Sequence, residues 1–314
     1  MHRRRLIVLA VLFVASAVAY MTIGARGNWG FVLEFRGAKL AALCLVAVAL
    51  STSTVLFQTI TQNRILTPSI MGFDELFVLI VAMGVFVFGM TDYLVVTSWV
   101  QFVVSLVLMT GASLLLFGTL LLQERPDLMR MILTGLVLTV LFRSLRTLLV
   151  RMLDPNEFSV VQVSSYARFH QIETGLLAIA TVTIGAALIG AWAIRHRLDV
   201  LSLGREAAIN LGENVRRGTL QVLVLIGVLV SVATALVGPT AFLGLLVVSI
   251  AHAVTPTGRH AVLLVSAALI SGTTLVGGQA LLERVFGLVT PLTVVIDLAG
   301  GVLFLVLVMK GSKR

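Results

Sequence analysis

His252 and His260 stand eight residues apart around a turn that holds Pro256 and Gly258. Two imidazoles fall short of the three or four ligands a zinc site uses, so both are expected as surface or interfacial histidines and no metal site is assigned. Asp297 lies inside an apolar run. An ion-coupled carrier keeps ionisable groups at mid-depth, but an aspartate beside Gly300 and Gly301 also fits a hydrogen-bonded helix contact. Asp74 and Glu75 open another apolar run, where a helix N-terminus favours anions, and a structural role is expected for them. A phosphate loop needs Gly-Lys before Ser or Thr. The only lysines are Lys39, Lys310 and Lys313, and none fits. There is no HExxH and no aspartate-rich motif, so no catalytic residue is nominated and ATP hydrolysis by that route is excluded.

Arg36 and Lys39 are three residues apart at the start of an apolar run, on one helix face, and Arg284 precedes the last run. Such cations either snorkel to lipid headgroups or form a rim that captures acidic groups of a soluble partner. The stretch 201–217, LSLGREAAINLGENVRR, is a polar island of helix formers between two long apolar runs. A short cytosolic helix there is well placed to receive force from a soluble partner.

The elements that must position these residues are membrane spans. Of 314 residues, 59% are hydrophobic and 12% charged, with mean hydropathy +1.08. A soluble domain carries about twice that charge fraction, and this much apolar surface cannot fit one soluble core. The fold class is therefore all-α, a polytopic helical membrane protein. The net charge of +9 reads as orientation-setting loops rather than nucleic-acid binding. Cys44 is the only cysteine, which leaves no disulfide framework. Leu6–Ile23 follows a basic start, but it is long for a signal peptide and Arg26 follows Ala25, so an uncleaved first span is preferred.

About ten spans are expected: Leu6–Ile23, Leu40–Ile60, Gly72–Gly89, Tyr93–Leu122, Leu128–Val150, Gly175–Ile194, Thr219–Val237, Ala241–Val254, Ala261–Val276 and Leu292–Met309, the eighth and ninth being short. With the N-terminus inside, fifteen of the 23 lysines and arginines fall on the inner side and eight on the outer. That bias favours both termini inside, which requires an even number of spans. The segment from Arg151 to Thr174 holds the turn signal Asp154-Pro155-Asn156 and is expected across the outer mouth. No separable soluble domain or repeat is visible, so 1–314 reads as a single transmembrane domain.

Several segments together resemble the permease subunits of bacterial ABC importers for iron–siderophore complexes, haem and vitamin B12. FRGAKLAALCLVAVALSTSTVLFQ followed by TQNRILTPSIMGFD is similar to that family's basic-x-x-basic helix start, small-residue span and P-x-x-x-G turn, here Arg36, Lys39, Pro68 and Gly72. GREAAINLG is similar to its coupling helix, and Gly238-Pro239-Thr240-Ala241-Phe242-Leu243-Gly244-Leu245 to its GPxxFxGL run. The resemblance covers essentially the whole chain. One departure follows GLLV, where many members continue Pro-His-x-x-Arg and this chain has Val248, Ser249 and His252. The TQNRILTPSIMGFD form looks more like the branch for catechol-type ferric siderophores than the vitamin B12 branch.

The resemblance implies a permease in the bacterial inner membrane that carries ferric siderophore from periplasm to cytoplasm. It implies two ATP-binding subunits, a second permease (in a heterodimer, with a homodimer as the alternative), a periplasmic binding protein and surrounding lipid as partners. ATP and Mg would sit in the ATPase, with no cofactor bound by this chain. Arg205, Glu206, Ala207, Ala208, Leu211 and Gly212 would seat in the ATPase. A bulky charge at Ala208 is expected to uncouple hydrolysis from uptake. Arg36, Lys39 and Arg284 would dock the binding protein. The pathway would be lined partly by the second and fifth spans, with Ser51, Ser53, Thr54, Gln58 and Asp297 as candidates. The alternatives are a stand-alone secondary transporter or channel, or an importer permease for vitamin B12 or haem.

Overall fold

Apolar runs of this length can bury their backbone polar groups in lipid only as helices. The computed structural model, which describes residues 2–24, 27, 29–121, 128–167, 169, 173–287 and 291–311, is helical throughout its described secondary structure. The helices are α1 (His2–Thr22), α2 (Trp29–Thr61), α3 (Phe73–Val95), α4 (Ser98–Leu121), α5 (Leu128–Met152), α6 (Pro155–Ser164), α7 (Thr174–Ala193), α8 (Arg195–Leu201), α9 (Arg205–Asn210), α10 (Val215–Val237), α11 (Leu243–Val254), α12 (His260–Ala280) and α13 (Leu292–Gly311). Eight described helices are long and apolar enough to cross a membrane, and the apolar helices Leu243–Val254 and Leu292–Val306 are shorter. Together they occupy the ten expected positions. The ninth is not short, however. It runs 21 residues from His260 to Ala280 and continues as a π-helical turn, Leu281–Val285.

The core follows from burial. In the most apolar window of α2, 72% of residues are buried, against 6% in α5. The 33-residue α2 spans about 50 Å at 1.5 Å per residue and is packed by α10, α11 and α12, while α1 covers α12 and α4 covers α10. Small residues permit these approaches, as expected where lipid removes the hydrophobic drive between helices. A Cβ on Gly244 of α11 would overlap the Thr54 hydroxyl of α2, and one on Gly300 of α13 would overlap Phe242. α3 and α5 form a peripheral pair.

Two local devices shape the end of the bundle opposite α9. At Gly89 (φ 74°) α3 kinks, and the Met90 N–H beside it donates to Glu157 Oε1 at 3.3 Å. The expected turn at Asp154-Pro155-Asn156 starts the helix α6, and Glu157 Oε2 accepts from the Asp154 N–H at 3.1 Å. Gly238, at φ +105°, ends α10 with its Cα turned to the Tyr166 carbonyl, 2.9 Å from where a Cβ would stand. Both the dihedral and the clash with main chain oppose any side chain. Gly238→Ala is expected to cost about 1–3 kcal/mol, read as a lower melting temperature of the detergent-purified protein. An unchanged melting temperature would contradict that backbone assignment.

Candidate coupling and pathway sites

The polar island folds as α8, a turn and α9. Gly204 (φ +95°) and Gly212 (φ +81°) bracket α9 in backbone conformations that favour glycine. After α9 the Gly212 N–H donates to Ile209 O and the Glu213 N–H to Ala208 O, each at 2.9 Å. That pattern is a Schellman close, which satisfies the last helical carbonyls. Asn214 then caps α10, its Oδ1 accepting from Arg217 N–H at 3.0 Å. Arg197 Nε lies 3.3 Å from Glu213 Oε1 and ties α8 to the start of α10.

This geometry corrects one expectation. Ala208 is 0% exposed, turned inward where α9 meets α8 and α10, so a bulky charge there would unseat α9 itself. Arg205 and Ala207 are half-buried, while Glu206, Leu211 and Gly212 are exposed. The outward face also presents Leu203 (61% exposed), Ile209 (52%) and Leu211 (64%). Three large apolar side chains exposed on a polar loop form an apolar patch of the kind that marks an interface. Leu203 escaped the sequence reading, and Ile209 lay within the expected segment without being singled out. Their signal was available, as the only large apolar positions beside Leu211 between Leu201 and Val215.

At the same end α2, α8 and α12 meet around His260. Contrary to the expectation of a surface histidine, His260 is buried. Its ring Nδ1 and its backbone N each lie 2.7 Å from Asp199 Oδ1, and Nε2 lies 2.8 Å from Thr59 Oγ1. Beside it opens a cleft of about 310 Å³ lined by Gln58, Thr59, Gln62, Arg64, His252 and His260, among others. Among the described residues no group of His, Cys, Asp and Glu is placed to hold a metal ion.

The pathway candidates separate in the same way. Ser51, Ser53 and Thr54 are buried between helices. Ser51 Oγ donates to Val48 O at 3.2 Å and Ser53 Oγ to Leu50 O at 2.9 Å, while Thr54 fits against Gly244. They pack closely between the helices. Gln58 does border the cleft, and its Nε2 donates to Arg64 O at 2.7 Å. Asp297 Oδ1 accepts from Phe242 N–H at 3.1 Å, which satisfies a donor at the start of α11 and matches the helix-contact reading.

Among the rim cations, Arg36 and Lys39 are buried. Arg36 donates to the carbonyls of Tyr20, Met21, Ile23 and Gly24 at 3.0–3.4 Å, satisfying the orphan acceptors at the C-terminus of α1. Lys39 Nζ is 2.5 Å from Glu283 Oε1. Both cations are thus engaged within the chain rather than standing out at a rim. The Arg284 side chain lies outside the described residues.

An unexpected cluster lies on α5. Glu75, in the first turn of α3, sits 2.8 Å from Arg143 Nη2 and 3.5 Å from Arg146 Nη2. Arg143 is nine residues from the end of α5, about 14 Å along the axis, and so within the thickness of the hydrocarbon core. Its side chain is 60% exposed. A cation there faces protein or water rather than lipid. Ser144, Thr147 and Arg151 continue this polar arc, and Leu141, Leu145 and Leu148 occupy the opposite, apolar one. A count of charges along the sequence does not show that Arg143 and Arg146 form one face with Glu75.

Comparison with known proteins gives a consistent assignment. The petrobactin import system permease YclO of Bacillus subtilis is 42% identical over 287 residues, 91% of each chain. The petrobactin import system permease FatC of Bacillus anthracis is 31% identical over 89% of this chain and 79% of its own. The ferric enterobactin transport system permease FepG of Escherichia coli is 25% identical over 90% and 83%. A solved metal-chelate type ABC transporter, described as inward-facing, superposes with a TM-score of 0.84 over 99% of this chain and 100% of its own, at 22% identity. That likeness carries the fold alone. The model of the FecCD transport family matches residues 5–310, and with these relatives it places the chain in the FecCD transport family as a multi-pass ABC importer permease.

Proposed function

We propose that this chain carries a ferric-siderophore complex inward across a bacterial cytoplasmic membrane, paired with a second permease, driven by two ATP-binding subunits and fed by a binding protein. ATP and Mg belong to the ATP-binding subunits in this reading, and the iron arrives already chelated. The observation that carries the reading is α9, a glycine-bracketed helix anchored inward by Ala208 with Leu203, Ile209 and Leu211 left exposed. The end of the bundle bearing α9 is then cytoplasmic, and both termini lie on that side. The relatives whose names specify petrobactin make its ferric complex the first substrate to test.

Affinity purification from the native membrane tests the assembly. An ATP-binding protein and a second permease should co-purify in mild detergent. Recovery of the chain alone would favour a secondary carrier.

The polar arc of α5 is proposed to line the pathway. In a Cys44→Ser background, Thr147→Cys in the assembled importer should react with a membrane-impermeant maleimide, and Leu145→Cys should not. The reverse pattern would place the arginine face against lipid and contradict the assignment.

A further inference from the structure

Force delivered at α9 must reach the long helices, and α8 beside it is tied to α10 by Arg197 and to α12 and the end of α2 through Asp199 and Gln62. Asp199 lies six residues before Arg205, on α8. One carboxylate oxygen of Asp199 accepts from two donors of His260, its backbone N–H and a ring nitrogen, each at 2.7 Å. The first bond satisfies one of the orphan N–H groups at the start of α12. The far ring nitrogen meets the Thr59 hydroxyl of α2 at 2.8 Å. A parallel tie joins Gln62 Nε2, just beyond α2, to the Leu201 carbonyl that ends α8, at 2.9 Å. An imidazole is a rigid plane with bonding groups at opposite ends. It therefore holds α8 and α2 at a fixed separation, where a flexible side chain would absorb displacement.

The site also has a second arrangement available. The Thr59 hydroxyl carries one proton and two acceptors stand at 2.8 Å, Val55 O and His260 Nε2. With the imidazole neutral and Nδ1–H donating to Asp199, Nε2 accepts from the Thr59 hydroxyl, which turns to donate to Val55 O when that contact opens. Thr59, Ser202 and His260 also border the adjoining cleft of about 310 Å³.

We infer that the line Asp199–His260–Thr59 is the strut that passes movement of the coupling segment to α2 and α12, with His260 and Thr59 as positioning residues for transport. This rests on the importer reading given above.

The test uses the complete importer in liposomes, with its ATP-binding subunits and binding protein, and reads iron taken up per ATP hydrolysed. Thr59→Val keeps the shape and removes the hydroxyl. It should lower that ratio at least tenfold while hydrolysis and assembly persist. Thr59→Ser should restore it. Asp199→Asn retains an acceptor oxygen and should lower the ratio less. Because both act on one line, Thr59→Val added to Asp199→Asn should lower the ratio no further than Thr59→Val alone, the non-additivity expected of directly connected residues. An unchanged ratio in Thr59→Val overturns the strut. So does a proportional fall of uptake and hydrolysis with a lower melting temperature, which marks a structural hydroxyl only. Failure of the importer reading would appear separately, as no ATP-dependent uptake by the wild-type complex.

Discussion

Leu211→Asp should abolish recovery of the ATP-binding subunits with this chain and reduce iron uptake by at least tenfold. The side chain is 64% exposed on a face shared with Leu203 and Ile209, and no helix of its own chain needs it for burial. Large apolar groups at the centre of an interface each contribute about 2–4 kcal/mol when they are hot spots, and a charge in that position adds desolvation cost. The measurement is co-purification followed by uptake. Ile209→Asp should behave alike. Normal recovery of the ATP-binding subunits with both variants would remove α9 as their docking helix. Ala208 would be the wrong position for this test, because it is buried against the chain's own helices and its substitution would damage α9 without reporting on the partner.

Glu75→Ala should be the most damaging single change on the α3–α5 pair. Glu75 answers both Arg143 and Arg146, and its removal leaves two cations within the hydrocarbon thickness with no other acid on them in the described ion pairs. Removing one partner of a buried pair costs about 3–5 kcal/mol. Arg143 is well exposed, so solvent screening brings the expected cost nearer 1–3 kcal/mol. The expected result is lower accumulation in the membrane and uptake reduced at least tenfold. Arg143→Gln together with Arg146→Gln should recover much of the accumulation in the Glu75→Ala background, without recovering uptake if the arginines serve the pathway. Full accumulation of Glu75→Ala alone would show that the arginines are neutralised elsewhere.

The long spans and the polar loop between them were legible because the length of apolar runs and the placement of charge speak directly to membrane crossing. The ten apolar positions and the island at 201–217 follow from patterns local in the chain. What was not legible depends on contacts distant in sequence. Arg36 sits at a span start in a spacing that suits a rim, yet its guanidinium serves carbonyls 12 to 16 residues earlier. Ser51, Ser53 and Thr54 have the small, polar character of pathway residues, but helices in lipid use the same residues for close approach. His260 gave no sign of burial because Asp199 and Thr59 lie 61 and 201 residues away. Within α9, helical spacing could not say which of Ala208 and Leu211 faces outward.

The most direct measurement is uptake of radioactive iron, as its petrobactin complex, by liposomes holding the assembled permeases and ATP-binding subunits with the binding protein supplied. Uptake that requires ATP and is lost in a hydrolysis-deficient ATP-binding subunit is the predicted result. Uptake by this chain without those subunits, driven by an ion gradient, would contradict the account.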